Sequence, residues 1–289
     1  MFGSVRMVIM VVVFIGISGI FAYVMKLRSD NAILEANQIK LESAVEEQNK
    51  VLEQQKADFD AILESNKKLN VLINTFKKDL EDLLGFDLRI ANDADCLAVS
   101  ESIDGSGMNY DSVFAVILGT GVGAGYTFKN QLVSGPNRLT GEWGQNPIPG
   151  PMDKYEKSVK RHCGRVGAIE VFLSGPGLEN YYSFVTNENK SSKDIVELYR
   201  NVDKTSNQIM DKYFERTARS FSSIVNILDP DVIVCGGGMS EIEELYKEVP
   251  KRIIPYIASN FFNTPIVKSI HGSSSGVRGA ALLLSLIHI

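Results

Sequence analysis

The feature that most constrains the fold is an abrupt change in glycine content near residue 85. Residues 29–84 contain neither glycine nor proline, whereas glycine recurs throughout the sequence beyond them. A long segment without these residues favours one uninterrupted helix, because glycine and proline are the residues that weaken or end helices. Frequent glycines favour short elements joined by tight turns. The sequence therefore predicts two regions of different architecture.

Within residues 29–84, apolar side chains recur every seven residues in two registers that lie four residues apart. The registers are Leu34, Leu41, Gln48, Gln55, Ile62, Leu69, Phe76 and Leu83, and Gln38, Val45, Leu52, Phe59, Asn66, Ile73 and Leu80. Eleven of these 15 positions are apolar, which is typical of a coiled coil. We expect this segment to assemble the chain into a homo-oligomer. The alternative is a single solvated helix.

The first residues predict a membrane anchor. Residues 7–25 form a run of 19 residues without a charge, with Arg6 before it and Lys26 and Arg28 after it. Such a helix is about 28 Å long, close to the thickness of a bilayer core. The run is longer than a signal-peptide core and has no clear cleavage site. Its nearly balanced basic flanks leave the orientation open. We expect an anchor (1–28), a coiled coil (29–84) and a globular domain (85–289).

The globular region alternates short β-branched runs with helical patterns, which predicts an α/β fold. The expected strands are 112–118, 123–128, 131–134, 231–235 and 265–270, and the expected helices are 193–228, 241–262 and 276–286. The net charge is −5, from 30 basic and 35 acidic residues, which argues against a nucleic-acid partner. The three cysteines are widely spaced, so they form neither a disulfide framework nor a full metal-binding set.

Two glycine-rich turns are candidates for binding phosphate or nucleotide. Residues 119–125 hold four glycines in seven positions directly after a predicted strand. Such a turn lets backbone amides approach an anion closely. Gly236, Gly237 and Gly238 form a second turn after the predicted strand 231–235. An ordinary tight turn is an equally good interpretation of either segment alone.

Three carboxylates are candidates for chemistry. Asp93 follows Asn92 at the start of a predicted helix, where it serves either as a helix cap or as a general base. Glu142 and Glu170 lie in glycine-rich segments, and carboxylates held there are suited to accept hydrogen bonds from sugar hydroxyls. The alternative for these two glutamates is ordinary surface charge.

Taken together and in this order, these segments resemble the ROK family of sugar kinases, in its fructokinase and N-acetylglucosamine kinase branch. The matching stretches are 90–101, 116–125, 141–149, 163–178, 225–240 and 274–283. The resemblance implies a ribonuclease-H-like fold, as in actin and hexokinase, with ATP, Mg²⁺ and a sugar bound in a cleft between two lobes.

By position, the resemblance gives Asp93 the role of catalytic base that takes the proton of the attacking sugar hydroxyl. It also assigns residues to sugar and nucleotide binding. The implied sugar ligands are Asn92, Asp93, Glu142, Gln145 and Glu170, the implied phosphate turn is Gly119, Thr120 and Gly121, and the implied adenosine turn is Gly236, Gly237 and Gly238.

The sequence also departs from the family pattern. The family's zinc ligands, one His and three Cys, correspond here to Gln145, Arg161, Cys163 and Ala168, which argues against a zinc site. The family's first lobe, with its D-x-G-G-T phosphate loop, is replaced by the predicted anchor and coil. We therefore expect an incomplete kinase fold with little or no turnover.

Alternative interpretations rest on the N-terminal part. A short anchor followed by a coil resembles membrane-anchored phage proteins of the spanin kind, which predicts a membrane-tethered structural or binding protein carrying a non-catalytic kinase fragment. A joined reading frame is another explanation for the junction near residues 77–83. A ROK transcriptional repressor would need a helix-turn-helix that this segment does not resemble. If the kinase-like domain is active, we expect it in the cytoplasm, anchored to the membrane by residues 7–25.

Overall fold

The computed structural model describes residues 2–86, 88–161 and 163–285, with the backbone alone at 2–22, 32, 62, 66, 284 and 285. The chain divides into two compact units, Met1–Leu88 and Arg89–Ile289. The finer division drawn from the sequence, 1–28, 29–84 and 85–289, stays a prediction.

The first unit contains one long helix, α1, which covers Phe2–Leu84. Its described apolar heptad side chains are exposed, with Leu34 at 64%, Leu52 at 60% and Phe59 at 59%, except Leu80, which is half-buried. Charged side chains one turn apart form ion pairs on its surface, as between Lys50 and Glu46 at 2.8 Å. The coiled coil and the homo-oligomer stay predictions, and the side chains of two heptad positions, 62 and 66, lie outside the described part.

The predicted membrane anchor needs a correction. Crossing a bilayer takes about 20 consecutive apolar residues in a helix. Across the part of the chain that the structure describes, no helix is long and apolar enough to do so. The prediction that residues 7–25 anchor the protein in a membrane is therefore wrong, and the membrane-tethered alternative is not supported. Residues 7–22 of that segment belong to α1, and their side chains lie outside the described part.

The second unit is built on a five-stranded mixed sheet in the order β3-β2-β1-β4-β5. Its strands are β1 (Ser112–Leu118), β2 (Val122–Phe128), β3 (Gln131–Leu132), β4 (Val232–Gly236) and β5 (Ile266–Lys268). β2 pairs antiparallel with β1 and β3, whereas β4 runs parallel to β1 and β5. The α/β class predicted from the sequence is confirmed.

Helices cover both faces of this sheet. They are α2 (Asp93–Asp104), α3 (Lys154–Ser158), α4 (Glu170–Leu173), α5 (Gly175–Thr186), α6 (Ser192–Arg200), α7 (Lys204–Leu228), α8 (Leu245–Ile253) and α9 (Ser275–Ser285). The helix expected over 193–228 is interrupted between α6 and α7, where Val202 has a φ of 63°. Asp203 then caps α7, because its side chain accepts a hydrogen bond from the Ser206 amide at 2.7 Å.

The core lies on the two faces of β1 and follows the alternation of strand side chains. Phe114, Val116 and Leu118 belong to the large cluster that α7 completes. Val113 and Ala115 face the other way and pack with residues of α2. Each fully buried aliphatic or aromatic side chain contributes about 1.5–3 kcal/mol to the free energy of unfolding. Burial on both faces of β1 therefore stabilises the packing of helices on each side of the sheet.

A buried ion-pair network joins α3 to α7. The carboxylate of Glu156 is fully buried and accepts hydrogen bonds from Arg216 Nε at 2.9 Å and from Arg219 at 3.2 Å. The Arg216 guanidinium also lies 4.1 Å from the centre of the Tyr181 ring. Each buried charge therefore has a partner, as burial requires.

Candidate active site

Segments that carry several of the predicted site residues pack against strand β2. A side chain at Gly125 would collide with the Ala94 carbonyl oxygen, so α2 lies directly against this strand. Gly141 has a φ of 86°, and a side chain there would collide with the Ala124 carbonyl oxygen. Only glycine permits approaches this close. The start of α2 and the turn that begins at Gly141 are thus both held against β2.

Asp93 is the first residue of α2, and Asn92 is the residue that caps the helix. The Asn92 side chain accepts a hydrogen bond from the Asp95 amide at 2.7 Å. Asp93 is exposed, and its Oδ1 accepts a hydrogen bond from the Ala94 amide at 2.9 Å. Asn92 is therefore the cap of α2, and Asp93 is not. The second carboxylate oxygen of Asp93 faces no protein partner among the described residues.

Asp95 is a neighbouring carboxylate to which the sequence analysis gave no role. Burial raises its pKa, and the negative charges of Glu142 and then of Asp93 raise it further. Gly125 packs on Ala94 and Gly141 packs on Ala124, so the segment that begins at Glu142 lies on the same part of β2 as the start of α2. The sequence signal was present in the spacing of Asp93 and Asp95, but only the fold brings Glu142 to them.

Glu170 links a loop to the first glycine-rich turn. Its Oε1 accepts a hydrogen bond from Arg161 Nε at 2.9 Å, and its Oε2 accepts one from the Val122 amide at 3.3 Å. Its side chain is 22% exposed. Glu170 is therefore neither free surface charge nor a carboxylate without a partner.

A cavity of about 850 Å³ lies between the two glycine-rich turns and helices α5 and α6. Its lining includes Gly119, Thr120, Gly238, Lys193 and Arg200. The volume falls in the usual range for ligand pockets, about 300–1,000 Å³. Open glycine backbone beside Lys193 suits the phosphates and the flat base of a nucleotide. Arg200 is already paired with Glu244 at 2.9 Å, and Glu179, Glu197 and Glu241 also line the cavity, so its lining is not net positive.

Three predicted nucleotide residues lie beside this cavity rather than in its lining. A side chain at Gly121 would lie 3.0 Å from Oε2 of Glu170, and one at Gly236 would lie 3.1 Å from Leu97. Gly237 has a φ of 85° and packs against the backbone of Leu118. These glycines permit the close approach of α4, α2 and the end of β1, whereas Gly119, Thr120 and Gly238 face the open space.

Two predicted sugar ligands line a second cavity of about 680 Å³. Glu142 and Gln145 are at its wall with Trp143, Asn146 and Arg165. Asn92, Asp93 and Glu170 are not in the lining of this cavity. The structure therefore relates the predicted sugar ligands through β2 and α2 rather than through one enclosed pocket.

The four positions that correspond to the family's zinc ligands do not fit a metal ion. The Arg161 guanidinium occupies one of them, and Ala168 is buried and apolar at another. Within the described ranges, no three His, Cys, Asp or Glu side chains converge as metal ligands do. Cys163 remains as a thiol whose pKa is lowered by a hydrogen bond from the backbone of Arg165 and by Arg161.

Comparison with known proteins gives a consistent result. The model of the ROK family matches residues 56–286. The chain is 37% identical over 213 residues to the N-acetyl-D-glucosamine kinase of Vibrio atlanticus, covering 72% of this chain and 70% of that protein. It is 40% identical over 211 residues to the N-acetyl-D-glucosamine kinase of Photobacterium profundum, with the same coverage.

Solved structures agree on the fold. The ROK hexokinase from Thermus thermophilus matches with a TM-score of 0.65 at 21% identity, covering 73% of this chain and 70% of that one. The ROK glucokinase from Streptomyces griseus, solved with glucose and AMPPNP, matches with a TM-score of 0.61 at 23% identity, covering 72% and 71%. These likenesses establish the kinase fold of the second unit.

Proposed function

Because the chain belongs to the ROK family, we propose that it transfers the γ-phosphoryl group of ATP to a hydroxyl of an N-acetylglucosamine-like hexose, with Asp93 as the general base. The observation that carries this proposal is the exposed carboxylate of Asp93 at the start of α2. Helix α2 packs on β2, the strand that also contacts Gly141 and, through the Val122 amide, Glu170. The turn that follows β1 connects this strand to the nucleotide cavity.

Asp93 supports the role of base by its surroundings. One oxygen accepts the Ala94 amide, which leaves the other oxygen to receive the proton of a sugar hydroxyl. Phosphoryl transfer depends mainly on positioning and on electrostatic stabilisation, so a single well-placed carboxylate suffices as base. The helix cap supplied by Asn92 orients Asp93 for this task.

The nucleotide is proposed to lie in the cavity lined by Gly119, Thr120 and Gly238. Backbone amides of the first turn would donate to phosphate oxygens, and Lys193 would balance part of their charge. Mg²⁺ bound with the nucleotide would neutralise further phosphate charge. The described residues supply no three-ligand metal cluster, so we expect the nucleotide to provide most of the metal ligands.

The sugar is proposed to be held by Asn92, Glu142, Gln145 and Glu170, whose side chains accept hydrogen bonds from hydroxyl groups. The kinase relatives favour N-acetylglucosamine over fructose as the substrate. We expect weak turnover, because the sequence holds no D-x-G-G-T loop before the matched stretches. This stays a prediction.

The test is an ADP-release assay with N-acetylglucosamine, fructose, glucose and mannose. We expect N-acetylglucosamine to give the highest, though weak, rate. Asp93→Asn should lower that rate by about 10²-fold or more, the contribution of a general base. Asp111→Asn, an exposed carboxylate at the far end of β1, is the matched control and should leave the rate unchanged.

Sugar binding is measured separately through Trp143, the single tryptophan, which is adjacent to Glu142. Asp93→Asn should still give a saturable fluorescence change with N-acetylglucosamine. Equal rates for Asp93→Asn and the unchanged protein would refute the role of Asp93. Absence of both turnover and saturable binding would refute the proposed function.

A further inference from the structure

A short hairpin, described at residues 160, 161 and 163–166, lies next to Glu170 and has no role in the function proposed above. Lys160 and Val166 form an isolated antiparallel bridge. The Arg161 amide donates to the Arg165 carbonyl at 2.8 Å, and the Gly164 amide donates to the Arg161 carbonyl at 2.8 Å. These backbone bonds fix the place from which the Arg161 side chain projects.

The Arg161 guanidinium points from this hairpin to Glu170. Its Nε lies 2.9 Å from Oε1 of Glu170, and its Nη1 lies 3.8 Å from Sγ of Cys163. The two charged side chains are 17% and 22% exposed. A mostly buried, charge-assisted hydrogen bond of this length restrains both partners.

The second oxygen of Glu170 extends the link to the phosphate turn. Oε2 accepts from the Val122 amide at 3.3 Å, and a side chain at Gly121 would lie 3.0 Å from the same oxygen. One carboxylate thus spans from the hairpin to the turn that also contains Gly119 and Thr120.

This link occupies the region where the family pattern would require a metal site that the chain cannot form. The side chain of Ala168 has no donor atom, Gln145 is a poor zinc ligand, and the positive charge of Arg161 would repel a cation. We propose that Arg161 is a positioning residue, which orients Glu170 for the sugar and connects the hairpin to the phosphate turn without a metal ion. The part of this proposal that concerns the sugar rests on the proposed function.

The main test compares two substitutions in the same hairpin. Arg161→Gln removes the charge that faces Glu170, whereas Lys160→Gln removes a charge from an exposed neighbour that makes no ion pair among the described residues. We expect Arg161→Gln to weaken N-acetylglucosamine binding about tenfold, the effect of roughly one charge-assisted hydrogen bond. Lys160→Gln should not change it, and Arg161→Lys should recover part of the loss.

A double-substitution cycle separates positioning from a general structural effect. If Arg161 acts through Glu170, Arg161→Gln should weaken sugar binding no further in a chain that already carries Glu170→Gln. Additive losses would overturn the proposal, as would unchanged binding in Arg161→Gln alone. Unchanged far-UV circular dichroism in each variant guards against unfolding.

Metal content and hydrogen exchange complete the test and do not depend on sugar binding. Elemental analysis of the purified full chain should show no stoichiometric zinc, and EDTA should leave the exchange rates unchanged. Arg161→Gln should speed amide exchange at Val122 and in residues 160–166, and Lys160→Gln should not. Stoichiometric zinc or unaltered exchange would overturn the proposal, even if the protein bound no hexose and the proposed function had failed.

Discussion

Helix α1 and the α/β unit differ in the sequence separation of the residues that hold them together. In α1, hydrogen bonds and ion pairs join residues one turn apart, as between Lys68 and Glu64. In the α/β unit, partners are far apart in sequence, as between Glu156 and Arg216. A substitution in α1 should weaken only the helical turns near it, because each turn depends on its neighbours. Long-range order fails cooperatively, because each contact restrains several elements.

The largest expected effect comes from breaking the buried network of the α/β unit. Glu156→Ala would leave Arg216 and Arg219 without their shared carboxylate, which costs about 3–5 kcal/mol of unfolding free energy. The urea midpoint followed by Trp143 fluorescence should fall steeply, while the part of the helical signal at 222 nm that comes from α1, about half of it, should persist.

The control is Glu188→Ala, an exposed carboxylate of the same unit that makes no ion pair among the described residues. Its midpoint should match that of the unchanged protein. If Glu156→Ala removed the α1 part of the circular dichroism signal in the same transition as the fluorescence, the two regions would not be independent, and the comparison would break.

A smaller effect contrasts glycine in the two regions. Gly141→Ala places a side chain at a φ of 86° against the Ala124 carbonyl, which should cost about 2 kcal/mol or more. The reverse change in α1, Ala44→Gly, should cost about 1 kcal/mol and act only on nearby turns. Urea titrations with both probes measure this. Equal losses from the two substitutions would contradict the distinction.

The smallest effect separates the regions by pH. In the α/β unit, burial and the charges of Glu142 and Asp93 raise the pKa of Asp95 above its ordinary 3.8, so its stabilising contribution is full below pH 3.8 and is lost as pH rises through the raised value. Asp95→Asn should therefore stabilise the unit at pH 7 by less than about 1 kcal/mol.

In the helical unit the sign is opposite. The Leu88 amide, with help from Lys77, lowers the pKa of Glu81 below its ordinary 4.5, so that contribution is present above pH 4.5 and is lost as pH falls through the lowered value. Unfolding at pH 7 and pH 3.5, with Glu81→Gln beside Asp95→Asn, tests both signs. A destabilised Asp95→Asn at pH 7 would contradict the assignment.

The sequence predicted most where local chemistry decides. The run without glycine and proline predicted the helix over 29–84, and the β-branched run predicted β1 at 112–118. It failed at Val202, because the helical periodicity continues through the break while a local cap, the Asp203 side chain on the Ser206 amide, starts a new helix there. The predicted membrane anchor was wrong as well.

For the candidate site, the family resemblance supplied the residues, whereas the fold supplied their relations. The sequence predicted Asp93 at a helix start, but only the structure gives Asn92 the capping role. Arg161 was noted only as a poor zinc ligand. Its bond to Glu170 joins the hairpin to the start of α4, nine residues further along the chain, and no pattern in the sequence indicates this pairing.

Strand β2 lies at the meeting point of these relations, which has a consequence for how the protein can vary. Gly125 packs against α2, Ala124 packs against the turn at Gly141, and the Val122 amide donates a hydrogen bond to Glu170. A substitution in this strand must accommodate α2, the turn at Gly141 and Glu170 at once, whereas a surface position of α1 is constrained only by its own helix. Evolutionary drift should therefore be slowest along these few residues, and new substrate preferences should arise in the segments packed on the strand rather than in the strand itself.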